Sequence, residues 1–371
     1  MEVRIITQRE QEIIAIIREN PFVSQQEIAD ALSITRSSVA VHITNLIKKG
    51  IIRGRGYVVD ERDHVSVIGG ANMDIMGYPF TTLRRGDSNP GQVSLSLGGV
   101  GRNIAENLAR LGVNTKLFTV VGNDIYGDKI IQDSLKTGID MSHVLKINDL
   151  GTGTYLAILN GENDMDVAIA SMDIFSRLDE KYLEDNQGII SKSQAIVFDT
   201  NLEEKVLTFG VNLFQDNDLY LDTVSHTKAL RAKKIIGKFH TIKPNRLEAE
   251  ALSGIKITGR GDLDQAATYF HREGVRNVII TLGEEGVYYS DGKSTGILKA
   301  EKVIPKNATG AGDAFQAALV YANLEGMEIR DKLIFSMGAS LLAMDSYDTI
   351  NKEMSTANIQ KIIKNLEVTS C

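Results

Sequence analysis

Two hydrophobic periods divide the chain. Up to about residue 62, apolar positions recur at helical spacing. Ile13, Ile14, Ile16 and Ile17 predict an amphipathic first helix, stopped by Asn20-Pro21. Ser24-Gln25-Gln26-Glu27 reads as a capping box that opens a short second helix. After a tight turn at Ser33-Ile34, Thr35 caps a third helix. Its apolar residues Val39, Ile43, Leu46 and Ile47 fall at i, i+4, i+7 and i+8, and Gly50 ends it. Two β-prone runs around Gly54-Arg55-Gly56 follow.

From His64 onward the period changes. The short apolar runs VSVIGG, TKLFTVVG, AIVFDT, LYLDTV, FHTIKP and NVIITLG alternate with helical stretches such as NIAENLARLG and DQAATYFHREG. That alternation predicts an α/β fold with a doubly wound parallel sheet. One part breaks the rhythm. Val93, Leu95 and Leu97 alternate with polar residues, and TYLAILNGENDMDVAIA predicts a hairpin turning at Asn160-Gly161. These segments, about 77–97 and 152–172, are read as strands of a small separate β-lid. The expected domains are therefore 1–62 and 63–371.

The order of elements in the first 60 or so residues resembles a winged helix-turn-helix. Through Arg62 there are nine Lys/Arg and eight Asp/Glu, whereas the remainder carries 32 and 40. The resemblance makes DNA a partner of this domain. Arg36, Lys48, Lys49, Arg53 and Arg55 on the third helix or wing would meet phosphates, with Ser37, Ser38 and His42 towards base edges. A three-helix packing or dimerisation module without DNA is the alternative.

Composition narrows the remaining classes. A formal net charge of −7 argues against the whole molecule acting as an electrostatic nucleic-acid binder. The only cysteine, Cys371, excludes a disulfide framework and a Cys-rich metal site. The N-terminus lacks the features of a signal peptide, and no apolar run is long enough to span a membrane. A soluble, cytoplasmic protein is expected.

Candidate chemistry starts with Asn307-Ala308-Thr309-Gly310-Ala311-Gly312-Asp313, a Gly-rich loop running into a helix. Helix-terminal amides and small residues suit a phosphate, and Asp313 is placed to accept a hydroxyl proton, its ionised form favoured by the helix terminus. Leu97-Gly98-Gly99-Val100-Gly101-Arg102-Asn103 precedes a second helix. A dinucleotide fingerprint fails there, because Ile104 stands where its third glycine would fall. Asn72-Met73-Asp74 ends a strand in polar residues. Asn245 and Glu248 lie one turn apart after Lys243-Pro244, and Thr281-Leu282-Gly283-Glu284-Glu285-Gly286 follows the strand NVII.

Together these motifs resemble the ribokinase-like (PfkB) sugar and nucleoside kinases over roughly residues 64 to 365. Within that family the chain is similar to the pseudouridine kinases on ANMDIMGYPFTTLRRGDSNPGQVSLSLGGVGRNIAENLARLG, on the hairpin TYLAILN and on the turn Asp87-Ser88-Asn89-Pro90-Gly91. The resemblance implies ATP-dependent phosphorylation of a nucleoside 5′-hydroxyl. Asp313 would be the catalytic base within the Gly310, Ala311 and Gly312 anion hole. Asn72, Asp74, Gly98, Gly99 and Asn103 would hold the sugar, and Asn245, Thr281, Gly283, Gly286 and Thr309 would lie at ATP. Glu248 would organise Mg²⁺, largely through water. Val100 stands where ribokinases usually carry lysine, which points away from free ribose. Asn307 stands where the family's monovalent-cation site has an aspartate, which weakens the case for K⁺. A homodimer is expected, since lid strands in this family often pair between subunits. The alternative from a different class is a transcriptional regulator whose kinase-like domain only senses its ligand.

Overall fold

The computed structural model describes residues 6–20, 23–52, 63–160, 165–299, 305–364 and 369–370. The chain forms two compact units, Met1–Asp63 and His64–Cys371. Among the described residues, no helix is long and apolar enough to cross a membrane.

The first unit contains α1 (Gln8–Glu19), α2 (Gln25–Ala31) and α3 (Arg36–Lys48). Its helix starts follow the sequence chemistry. Thr7 and Ser24 each form a reciprocal capping box, with Glu10 and Glu27, and Thr35 accepts from the Ser38 N–H. Ile13, Ile17, Ile28, Val39, Ile43 and Leu46 make the core. Ile47, at the edge of the predicted stripe, is 53% exposed instead of buried with Val39, Ile43 and Leu46. The β-prone runs around Gly54-Arg55-Gly56 fall almost wholly outside the described residues.

In the second unit a ten-stranded sheet has the spatial order Thr369–Ser370, Thr295–Lys299, Val287–Ser290, Asn277–Thr281, Thr241–Ile242, Leu219–Asp222, Ser193–Asp199, His64–Ile68, Thr115–Phe118 and Ile139–Asp140. The last seven are parallel and the first three join antiparallel. The run TKLFTVVG divides at Thr119. Val120–Gly122 leaves the large sheet and pairs with Leu145–Ile147.

The lid is a separate four-stranded sheet ordered Gly91–Gly98, Asn72–Pro79, Thr154–Leu159 and Met165–Ser171. The last two strands form the expected hairpin, whose turn residues 161–164 lie outside the described set. Asn72-Met73-Asp74 does not end the preceding strand, which stops at Ile68. It opens a lid strand, with Asp74 opposite Ser96 in register.

Candidate active site

The parallel strands deliver charged side chains to their carboxyl ends, the usual ligand edge of such a sheet. Asp199, the last residue of its strand, is fully buried. Its Oδ2 accepts the N–H groups of Gly70 and Gly101, each at 2.8 Å, and its Oδ1 accepts from the Asn201 N–H. Burial pushes this carboxyl above its ordinary range, and those hydrogen bonds pull against it. One carboxylate thus pins the loop after the first strand to the start of α4 (Val100–Arg110). Gly99 caps that helix at φ 96°, where a Cβ would stand 2.4 Å from the Gly70 carbonyl oxygen, so no other residue fits.

Asn72, Asp74 and Gly98 meet at the root of the lid. Asn72 Nδ2 donates to Asp74 Oδ1 at 2.6 Å, and a Cβ on Gly98 would sit 2.4 Å from Asp74 Oδ2. Burial raises the Asp74 carboxyl, while Asn72 and Arg102 oppose the shift.

Gly310 turns into the helix Ala311–Leu324 at φ 83°, packed so closely that a Cβ would lie 2.1 Å from the Thr349 carbonyl oxygen. No side chain caps this helix, and the Ala311 N–H makes a long bond of 3.4 Å to the Ala308 carbonyl. Asp313 follows in that turn and accepts from Asn103 Nδ2 at 2.8 Å. Two groups without a predicted role stand beside it. Lys243 is buried, with its Nζ 3.4 Å from Asp222 Oδ2 and close to Gly312. Burial opposes the lysine charge, but Asp222, Glu248 and Asp313 together hold its pKa above the ordinary value. The ionised Asp313 expected from the helix terminus alone is not what this setting favours. Although the side chain keeps some exposure to the cleft, burial and the charges of Asp222 and Asp199 push its pKa up to about 8, against Asn103 and Lys243. Val224, just past Asp222, has φ 57°, a strained value for a β-branched residue, and donates its N–H to Asp222 Oδ1.

A cavity of about 470 Å³ adjoins this cluster. Asn245, Thr281, Gly283, Gly286, Ala311 and Gly312 line it together with the apolar Phe315, Met337, Leu341 and Met344. Thr309, the other predicted nucleotide residue, lies in the neighbouring turn, where its N–H donates to Asn307 Oδ1. Asn245 and Glu248 form a capping box, and Glu248 Oε2 also accepts from Thr223 Oγ1 at 2.6 Å. Glu248 Oε2 is thereby engaged by protein donors. Among the described residues no cluster of three His, Cys, Asp or Glu could hold a metal.

The strand-end rule was the signal for Asp199, Asp222 and Lys243, since each is the polar residue that closes an apolar run.

In the first unit, Arg36 and Ser37 are exposed at the start of α3, while Ser38 and His42 are half-buried. Lys49 is not free for phosphate, because its Nζ pairs with the buried Glu10 at 2.7 Å. Arg53 and Arg55 lie outside the described residues.

Known proteins share both units. The sequence model of the pfkB family of carbohydrate kinases matches residues 62–357, and that of a winged helix-turn-helix DNA-binding domain matches residues 6–53. The chain is 36% identical to the pseudouridine kinase of Escherichia coli (strain K12) over 308 residues, 83% of this chain and 98% of that one. It is also 36% identical to the uncharacterised sugar kinase YeiI of the same organism over 357 residues, covering 96% and 98%. A Clostridium perfringens protein classed as a candidate sugar kinase superposes with a TM-score of 0.77 at 36% identity, covering 84% and 98%. Ribokinase of Arabidopsis thaliana, solved with ribose and ATP, shares the fold at a TM-score of 0.72 and 21% identity, covering 82% and 99%.

Proposed function

The chain belongs to the pfkB family of carbohydrate kinases, and from that premise we propose that it phosphorylates the 5′-hydroxyl of a nucleoside, pseudouridine first among the candidates. The carrying observation is Asp313, held by Asn103 at the uncapped helix terminus beside the cavity. In the proposed step the substrate hydroxyl oxygen bonds to the γ-phosphorus of ATP. The bond from that phosphorus to the β,γ-bridging oxygen breaks, ADP leaves with the electron pair, and Asp313 takes the hydroxyl proton. The amides of Gly310, Ala311 and Gly312 are assigned to the transferring phosphoryl group, which needs positioning and charge stabilisation more than covalent help. Lys243, 3.4 Å from Asp222, adds positive charge to the same corner.

Asn72, Asp74, Gly98, Gly99 and Asn103 are assigned to the ribose. Asn245, Thr281, Gly283, Gly286 and Thr309 are assigned to the nucleotide. Glu248 and Asn245 would hold the waters of Mg²⁺, and the ion when bound neutralises charge on the phosphates. Support for a base above the sugar comes from the lid register. Asp74 lies between Ser96 and Tyr155, which share its face of the sheet. A hydroxyl-bearing face suits a C-linked uracil, which keeps both ring N–H groups free.

The test is turnover on a panel of pseudouridine, uridine, adenosine, ribose and fructose. Pseudouridine should be preferred; turnover of another member with pseudouridine idle removes the specificity claim.

The winged helix favours a second role, DNA binding, with Arg36, Ser37, Ser38, His42, Arg53 and Arg55 as the assigned contacts. A protein that binds nucleoside and DNA yet never consumes ATP would be a regulator instead of a kinase.

A further inference from the structure

We propose that Arg102 is a positioning residue, which fixes the Asn103 side-chain amide so that its NH₂ end always faces Asp313. This rests on the reading of Asp313 as the base.

Arg102 is only 4% exposed, immediately before Asn103 on α4. Its Nη1 donates to Asn103 Oδ1 at 3.0 Å and to the Leu97 carbonyl at 3.3 Å, near the end of a lid strand. Its Nη2 pairs with Glu106 Oε2 one turn along. The other oxygen of Glu106 accepts from Nε and Nη2 of Arg110 at 2.8 and 2.7 Å. The residues at i, i+4 and i+8 therefore form a line of alternating charge along one side of the helix.

A guanidinium carries donors only, so just the oxygen end of the Asn103 amide can meet it. Nδ2 is left to point at Asp313 Oδ2, 2.8 Å away. Flipping the amide would set an oxygen against the carboxylate and an NH₂ against the guanidinium, which is unfavourable at both ends. A buried ion pair is expensive, and apolar side chains of similar size usually pack as well or better. The Arg102–Glu106 pair thus has a use beyond stability, and its bond to Leu97 ties the lid strand to the same amide.

The expected consequence concerns proton affinity. Asp222 and Asp199 face Asp313 as negative charges, Lys243 as a positive one, and Asn103 as the donor that Arg102 orients. Losing that donor makes Asp313 hold its proton to higher pH.

Two full-chain variants test this: Arg102→Lys, which keeps a charge for Glu106, and Arg102→Met with Glu106→Gln, which leaves no unpaired buried ion. The readouts are kcat/KM against pH and the ¹³C carboxyl titration of Asp313, identified by its loss in Asp313→Asn. Both midpoints should rise by about one pH unit, so kcat/KM falls about tenfold on the acid side. In an Asn103→Ala background neither Arg102 change should move the midpoint further. Unmoved midpoints in either folded variant, or an equal shift without Asn103, would overturn the proposal. A carboxyl shift with no kinetic shift keeps Arg102 as the positioning residue and instead removes Asp313 from the base role.

Discussion

Asn103 Nδ2 and Asp313 Oδ2 lie 2.8 Å apart although 210 residues separate them in the chain. Each sits in the first turns of a helix that follows a Gly-rich loop, and the two helices pack along one another. The sugar side and the phosphate side of the proposed reaction are thereby joined by one hydrogen bond. Any shift of α4 moves the amide that holds the carboxylate.

Asp313→Asn keeps the shape and removes the proton acceptor. Turnover should fall by about 10²–10⁴-fold, the usual contribution of a positioned base, while nucleoside binding persists. Steady-state kinetics paired with calorimetric titration of the nucleoside checks both halves. Near-normal turnover would refute the assignment.

The raised proton affinity of Asp313 predicts the pH dependence. A base works when ionised, and here burial and neighbouring carboxylates favour the neutral form up to about pH 8. In the free enzyme kcat/KM should therefore climb with pH through that region and drop as pH falls below it. The limb reports Asp313 within its buried cluster, since the charges of Asp222, Asp199 and Lys243 all act on it. A profile flat from pH 6 to 9 would contradict this reading.

Motifs and strand segments were legible because local chemistry and global fold agree there. NATGAGD forms the loop-to-helix turn it predicts, and every apolar run named for the main sheet contributes a parallel strand. What the sequence hid depends on distance. Nothing local tells that Asp199 holds Gly70 and Gly101, that Lys243 pairs with Asp222, or that Lys49 is consumed by Glu10. Asn72 and Asp74 were not legible as the opening of a lid strand, because polar residues after an apolar run read as its end. The proton state of Asp313 could not be read from its helix position alone, since the opposing charges come from other strands.

Potassium should be dispensable. Asn307 Nδ2 donates to the Tyr347 carbonyl at 3.1 Å, its Oδ1 accepts from Thr309, and Lys306 pairs with Asp345 at 2.8 Å. Side-chain donors thus fasten the 345–347 loop to the Gly-rich turn, and a donor at that carbonyl leaves one oxygen fewer for a cation. Turnover at fixed ionic strength should be alike in potassium, sodium and tetramethylammonium chloride. Asn307→Asp should make it cation-sensitive. Strong activation of the unaltered protein by K⁺ would reverse the conclusion.

Arg36 is exposed at the start of α3, the end of a recognition helix that meets DNA. Arg36→Ala in the full chain should weaken binding to all duplexes about equally and lower the salt slope by about one. Fluorescence anisotropy over a salt series measures this. An unchanged slope would take Arg36 out of the interface.

The lid makes the last prediction. Its register puts Leu95, Ile75, Leu156 and Ile169 in one cross-strand row, and Val93, Gly77, Ile158 and Val167 in the next, all on the face opposite to Asp74. On the two outer strands these side chains are largely open, with Val93 68%, Leu95 53% and Ile169 61% exposed. A contiguous apolar sheet face of this kind is a binding surface, because single exposed apolar residues are ordinary but aligned rows are not. A second copy of the lid presents the same rows, so a two-fold pairing is self-complementary. Leu95→Glu with Ile169→Glu should convert a dimer to a monomer in sedimentation velocity. Since the outer face carries none of the proposed sugar contacts, the monomer should lose nucleoside affinity only through a looser lid. KM would then rise more than kcat falls. An unaltered chain that sediments as a monomer, or a variant that stays dimeric, would place any interface elsewhere.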